Sequence, residues 1–167
     1  TGATGDTITL GQSDVGTAIT VVASYTDVLG TAESVTSTAT NPVANVNDSP
    51  SGTVLITGTA REGEILTASN TLADEDGMGT VSYTWSTGAT GSTITLAQSD
   101  VGTTITVTGS YTDGQGTAES VTSAATSVVA NGNAAPTGDV TISGTPTEDQ
   151  VLTAANTLAD ADGMGTV

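Results

Sequence analysis

Thr104-Ile105-Thr106-Val107-Thr108-Gly109-Ser110-Tyr111 alternates between small polar and apolar residues along its length. Successive side chains of a strand point to opposite faces, so Ile105, Val107 and Tyr111 share one face, and Thr104, Thr106, Thr108 and Ser110 share the other. Thr and Val are stiff at χ1 and suit a half-buried pleated surface. The same pattern runs through Ile19, Val21, Ala23 and Tyr25, and through Val81, Tyr83 and Trp85. Val54 and Ile56, Leu66 and Ala68, and Ile94 and Leu96 complete an inward-facing set. Turn residues separate these runs at Arg61-Glu62-Gly63, Asp74 to Gly79, Thr87-Gly88, Asp100-Val101-Gly102 and Asp113-Gly114. No stretch carries a helical period.

The chain also repeats itself. Asn70 to Val81 reads NTLADEDGMGTV and Asn156 to Val167 reads NTLADADGMGTV, an offset of 156 − 70 = 86 residues. TGATGDTITLGQSDVG at Thr1 returns as TGATGSTITLAQSDVG at Thr87, and 87 − 1 is again 86. Such a spacing exceeds the ~20–50 residues of solenoid units and suits one small domain. Within one period the pattern predicts strands near 53–57, 64–69, 80–86, 92–97, 103–112 and 117–126, with a further, poorly marked strand between the third and fourth.

That spacing predicts an all-β fold of tandem immunoglobulin-like β-sandwich modules with an 86-residue period, arranged end to end. Trp85 would fill the centre. With no Cys in the chain, packing alone must join the sheets. The expected layout is residues 1–44 as the back half of one module, 45–50 as linker, 51–130 as a whole module, 131–136 as linker and 137–167 as the front half of another. The phase reads as a window on a longer array. Pro50 and Pro136 bar a central strand where each linker meets the next module.

Composition narrows function. His and Cys are absent, which removes the commonest general base and thiol chemistry. Arg61 is the only Lys or Arg against 18 Asp and Glu, a net charge of −17. Nucleic-acid binding needs clustered cations and is excluded; anionic membrane surfaces are disfavoured, and no apolar run is long enough to insert. Hydrophobic residues at 35%, in strict alternation, argue against disorder. The acids sit on turns beside Gly without an apolar pocket to raise one pKa, so an enzyme, including a paired-carboxylate glycosidase, is not expected.

Those acids converge. In the expected topology the loop with Asp74, Glu75 and Asp76, the hairpin tip with Asp113 and then Glu119, and the linker residues Asn47 and Asp48 meet at the top of a module. Asp14 belongs to the bottom of the preceding one. At the next junction Asp100, Glu62 and Glu64 would face Asp160, Asp162, Asn131 and Asn133. Crowded carboxylates repel unless a cation joins them, and Ca²⁺ takes six to eight hard oxygens. The candidate metal ligands are therefore Asp74, Asp76, Asp113, Asp48, Asn47, Asp14, Asp160, Asp162, Asp100 and Glu62, with Ca²⁺ as cofactor. The competing reading is turn chemistry, since Asp and Gly are good turn formers and Ser-Asp-Val-Gly reads as a capped helical turn. Asp48 becomes Ala134 in the second copy, which costs that junction one ligand. Asn47-Asp48-Ser49 is formally a glycosylation sequon, read as a linker coincidence.

The runs LTASNTLADEDGMGTVSYTWS (Leu66 to Ser86) and GATGSTITLAQSDVGTTITVTGSYTDGQGTAESVTSAAT (Gly88 to Thr126), with the linker VANVNDSP (Val43 to Pro50), resemble the immunoglobulin-like or cadherin-like repeats of giant, type I-secreted bacterial surface adhesins. The linker NGNAAP departs from that pattern. The resemblance implies an extracellular, cell-surface extender that holds a binding tip away from the cell, is straightened by Ca²⁺, serves adhesion or biofilm formation, and has neighbouring repeats of the same chain as its partners. The alternative is a filament or sheath in which identical chains complete each other's half-modules. A carbohydrate-binding module is disfavoured, since Trp85, Tyr25, Tyr83 and Tyr111 all lie in inward register.

Overall fold

A computed structural model describes residues 2–166. The fold is all-β, with antiparallel strands and two short 3-10 turns. In chain order the strands are β1 (Val22–Thr26), β2 (Ala32–Thr36), β3 (Val54–Thr57), β4 (Ile65–Asn70), β5 (Ser82–Trp85), β6 (Thr93–Thr95), β7 (Val107–Thr112), β8 (Ala118–Thr122), β9 (Val140–Ser143) and β10 (Thr153–Asn156). The 3-10 turns are Gln12–Asp14 and Gln98–Asp100, which fall at the capped turn read from Ser-Asp-Val-Gly.

By contacts the chain falls into two compact units. Residues up to Ser51, Ala73–Thr80 and Tyr111–Glu119 form one; Gly52–Leu72, Val81–Ser110 and the residues from Ser120 onward form the other. The second unit holds the hydrophobic core. β4 is the centre of a three-stranded sheet, pairing Leu55 with Ser69 on one edge and Leu66 with Ile94 on the other. β7 is the centre of a sheet ordered β5-β7-β8, with Trp85 opposite Val107. Val54, Leu66 and Ala68 from the first sheet and Trp85 and Val107 from the second join Leu96, Ile105 and Val129 in one buried cluster. These are the inward positions of the sequence pattern, plus Val129. Trp85 buries its indole and donates from Nε1 to the Gly91 carbonyl at 2.9 Å, so no polar atom is stranded.

Five of the six strands are shorter than the pattern predicts, and β7 and β8 fall furthest short of 103–112 and 117–126. Ile105 and Val107 donate their N–H groups to Thr126 Oγ1 and Ser123 Oγ at 3.0 and 3.1 Å. Hydroxyls replace carbonyls there, so regular pairing gives way although Ile105 stays buried. Between β5 and β6 there is only an isolated bridge, Thr84 to Thr90, in place of the poorly marked extra strand.

The first unit contains the β1–β2 hairpin, from Val22 opposite Thr36 to Thr26 opposite Ala32. Val15 bridges Val43 in parallel. Each chain segment of this unit carries acids or amides to the site described next.

Candidate cation site

Within the first unit, three stretches meet: the linker Asn45–Asp48, the loop Ala73–Thr80 and the hairpin tip after Tyr111. The loop is shaped by Asp74, whose Oδ1 accepts the Asp76 N–H at 2.9 Å and whose carbonyl accepts the Gly77 N–H at 3.2 Å. Gly77 has φ of +96°, a conformation that disfavours side chains. The hairpin abuts this loop through Gly114, whose N–H donates to the Asp76 carbonyl at 3.0 Å; a Cβ on Gly114 would lie 2.6 Å from that oxygen.

One carboxylate oxygen each from Asp74, Asp113 and Glu119 lies within 4.8 Å of the others. Ca²⁺ binds oxygens at about 2.3–2.6 Å, so two ligands on opposite sides of one ion stand about 5 Å apart. The spacing fits. Asp113 is 6% exposed. Its Oδ1 accepts N–H groups of Gln115 and Thr117 at 2.9 and 2.7 Å, while Oδ2 is buried without a partner. Burial by itself would raise the Asp113 carboxyl, but backbone donors from Thr117, Gln115 and Gly116 outweigh it and hold it below the ordinary carboxylate value. Asp113 is thus an anion with one oxygen fixed by the turn and one left over.

Asp74 Oδ2 accepts the Tyr111 hydroxyl at 2.6 Å. Burial first, then that bond and the charges of Asp74, Glu119 and Asp113, push the phenol well above its ordinary value, so it stays a donor. Glu119 Oε1 accepts the Asn47 amide at 2.8 Å. The unit contains no Lys, Arg or His, since Arg61 belongs to the other. Three carboxylates therefore gather with hydrogen-bond donors but no cationic side chain.

Asp76 has a different task. It is 4% exposed, and both oxygens are taken: Oδ1 by Gln12 Nε2 at 2.8 Å and Oδ2 by the Asp48 N–H at 2.7 Å. Asp48 reaches Asp76 through its backbone, and Asn47 contributes an amide donor to Glu119. Asn45 Oδ1 is buried nearby in the chain without a partner.

The second unit repeats part of this. Asp160 Oδ1 accepts the Asp162 N–H at 2.9 Å; Asp162 Oδ2 accepts the Ala134 N–H at 2.7 Å, and its Oδ1 accepts the Asn131 amide at 3.0 Å. Glu62 accepts the Gly132 N–H at 3.1 Å, and the Gln98 amide, oriented to donate, reaches the same carboxylate at 2.6 Å. Asp14 and Asp100 close their 3-10 turns by accepting the N–H of Gly11 at 3.0 Å and Ala97 at 2.8 Å.

Asp74 and Asp113, two of the ligands expected from the sequence, lie in this group, and Glu119, which the sequence places beside them but not among the ligands, joins them. Gln12 carries no sequence signal beyond its recurrence as Gln98, and Tyr111, inward in the sequence pattern, also donates to the site. Among the described residues no helix is long and apolar enough to cross a membrane. Comparison with protein-family models, with curated proteins and with solved structures finds no match to this chain.

Proposed function

We propose that the chain is a spacer segment of an extracellular, cell-surface adhesin: tandem immunoglobulin-like β-sandwich modules that supply reach, with Ca²⁺ bound by Asp74, Asp113 and Glu119. The observation that carries the cation is the buried, unpartnered Oδ2 of Asp113 in a group of three carboxylates spaced for one ion. The sheet orders β3-β4-β6 and β5-β7-β8 around one core suit such a module, and the 86-residue offset in the sequence supports tandem copies. Bound Ca²⁺ would offset the mutual repulsion of the three carboxylates, and because Asn47 already holds Glu119, it would also order the linker. The role in this reading is mechanical: the modules supply reach, and the cation stiffens them.

Thermal unfolding with millimolar Ca²⁺ and with chelator tests this. An ion that binds only the folded chain raises its midpoint by mass action. A rise that saturates with Ca²⁺ and is lost in a D113N variant supports the reading. An unchanged midpoint sinks it.

A further inference from the structure

Asn131-Gly132 is the one Asn-Gly pair in the sequence. An Asn side chain is open to attack by the main-chain nitrogen that follows it, and Gly shields that nitrogen least because it has no Cβ. The fold also requires Gly here, since a Cβ on residue 132 would lie 2.9 Å from the Glu62 carbonyl oxygen. Just upstream the linker is fixed to the module. Ala130 N donates to the Ala60 carbonyl at 2.9 Å, and the Ala130 carbonyl accepts the Glu62 N–H at 3.0 Å. Asn131 itself is exposed, so water reaches it.

Three neighbours meet the three atoms that such an attack changes. Gly132 N, the nucleophile, donates to Glu62 Oε2 at 3.1 Å. Asn131 Oδ1, on the carbon attacked, accepts the Gln98 amide at 3.2 Å. Asn131 Nδ2, the leaving nitrogen, donates to Asp162 Oδ1 at 3.0 Å. A carboxylate on the nucleophile's proton is a base already in place, and a donor on the carbonyl oxygen stabilises the negative charge that forms there. The corresponding Asn45 has neither aid: Val46 follows it with a branched Cβ, and its Oδ1 has no donor.

We propose that Asn131-Gly132 is a self-modification site, at which the folded chain converts Asn131 through a cyclic imide to aspartate and isoaspartate. Gly132 N bonds to Asn131 Cγ, and the Cγ–Nδ2 bond breaks. The proton taken by Glu62 is returned to the leaving nitrogen, which departs as ammonia. Water then opens the imide at either carbonyl, so the net change is one water in and one ammonia out, with no oxidation. Both products put a carboxylate against Asp162 where an amide donor stood. Isoaspartate also adds a carbon to the main chain between residues 131 and 132. Either change disturbs the hold of Asp162 Oδ2 on the Ala134 N–H, now 2.7 Å, so the linker loosens with age.

Peptide mapping by mass spectrometry of the folded chain, held for weeks at mildly alkaline pH, tests this, with isoaspartate detected by enzymatic methylation. Conversion is expected at Asn131 while Asn45 stays intact, and amide exchange at Ala134 is expected to quicken in the aged chain. Glu62→Gln leaves an oxygen for Gly132 but takes no proton, and Gln98→Ala removes the donor on the carbonyl. Each is expected to slow conversion about tenfold or more. Trp85, the single tryptophan, reports through its emission that the core stays folded in each variant. No conversion at Asn131 overturns the proposal. So does an equal or faster rate in either variant, which would mean that these contacts are idle or restrain the pair.

Discussion

Gln12 donates its side-chain amide to Asp76 Oδ1 at 2.8 Å, from a position 64 residues earlier in the chain. The same carboxylate accepts the Asp48 N–H through its other oxygen. A buried anion is tolerated when donors meet both oxygens, and losing one leaves desolvation uncompensated. Gln12→Ala is expected to destabilise the chain by about 1–3 kcal/mol in urea unfolding. Asp76→Ala is expected to speed amide exchange at Asp48 while Ala134, bonded to Asp162, keeps its protection. Equal exchange at both positions would refute the local assignment.

Asp113 separates turn chemistry from ion binding. An Asn there keeps an oxygen for the Gln115 and Thr117 N–H groups but removes the charge. Asp113→Asn is expected to stay within about 1 kcal/mol of the parent in chelator and to lose the Ca²⁺-dependent rise in midpoint. Asp113→Ala loses both properties and is expected to cost about 1–3 kcal/mol even in chelator. If the Asn variant still responds fully to Ca²⁺, the ion binds elsewhere.

The chain is well suited to an alkaline titration, because it has no Lys, Cys or His and only three Tyr. Tyr111 has a raised folded pKa, so its contribution to stability is complete below the phenol's unfolded pKa of about 10 and is lost as pH climbs from there through the folded value. Tyr111→Phe is expected to flatten that alkaline loss and to cost about 1–3 kcal/mol at neutral pH, since Asp74 loses a donor. Asp113 has the opposite sign. Its lowered folded pKa gives stability that is present at neutral pH and disappears as pH falls through that value. Asp113→Asn should therefore show a shallower acid limb.

Trp85→Ala is expected to remove about 3–5 kcal/mol, the usual loss for a large aromatic in a core. Trp85→Phe isolates a smaller part of that: the volume is mostly kept, but Gly91 loses the indole donor. Both variants lose that donor, so calorimetry should show Trp85→Ala as the more destabilised by the packing difference alone; a reversal would mean that a Phe ring fits the site worse than the cavity left by Ala.

Much of the fold was legible because a strand's period of two is written directly in which residues are apolar. Ile105, Val107, Leu66 and Trp85 are inward in the sequence pattern and buried in the fold. Less legible was where regular pairing stops, because Thr126 and Ser123 compete as acceptors through hydroxyls that look like any other polar position. The site was legible by residue type alone. Asp74, Asp76 and Asp113 are alike in sequence, yet Asp76 is saturated by Gln12 and Asp48 while Asp113 keeps a free oxygen. What divides them is the approach of donors from distant segments, which local pattern does not encode.

Asp76 takes hold of residue 48, and Asp162 of residue 134, by the main-chain N–H in both cases. One residue is Asp and the other Ala, and the bond is 2.7 Å in each. The anchor is blind to the side chain it secures. Saturation mutagenesis at position 48 should therefore return a broad spectrum of functional substitutions with a single sharp exclusion: proline, the one residue with no hydrogen to give.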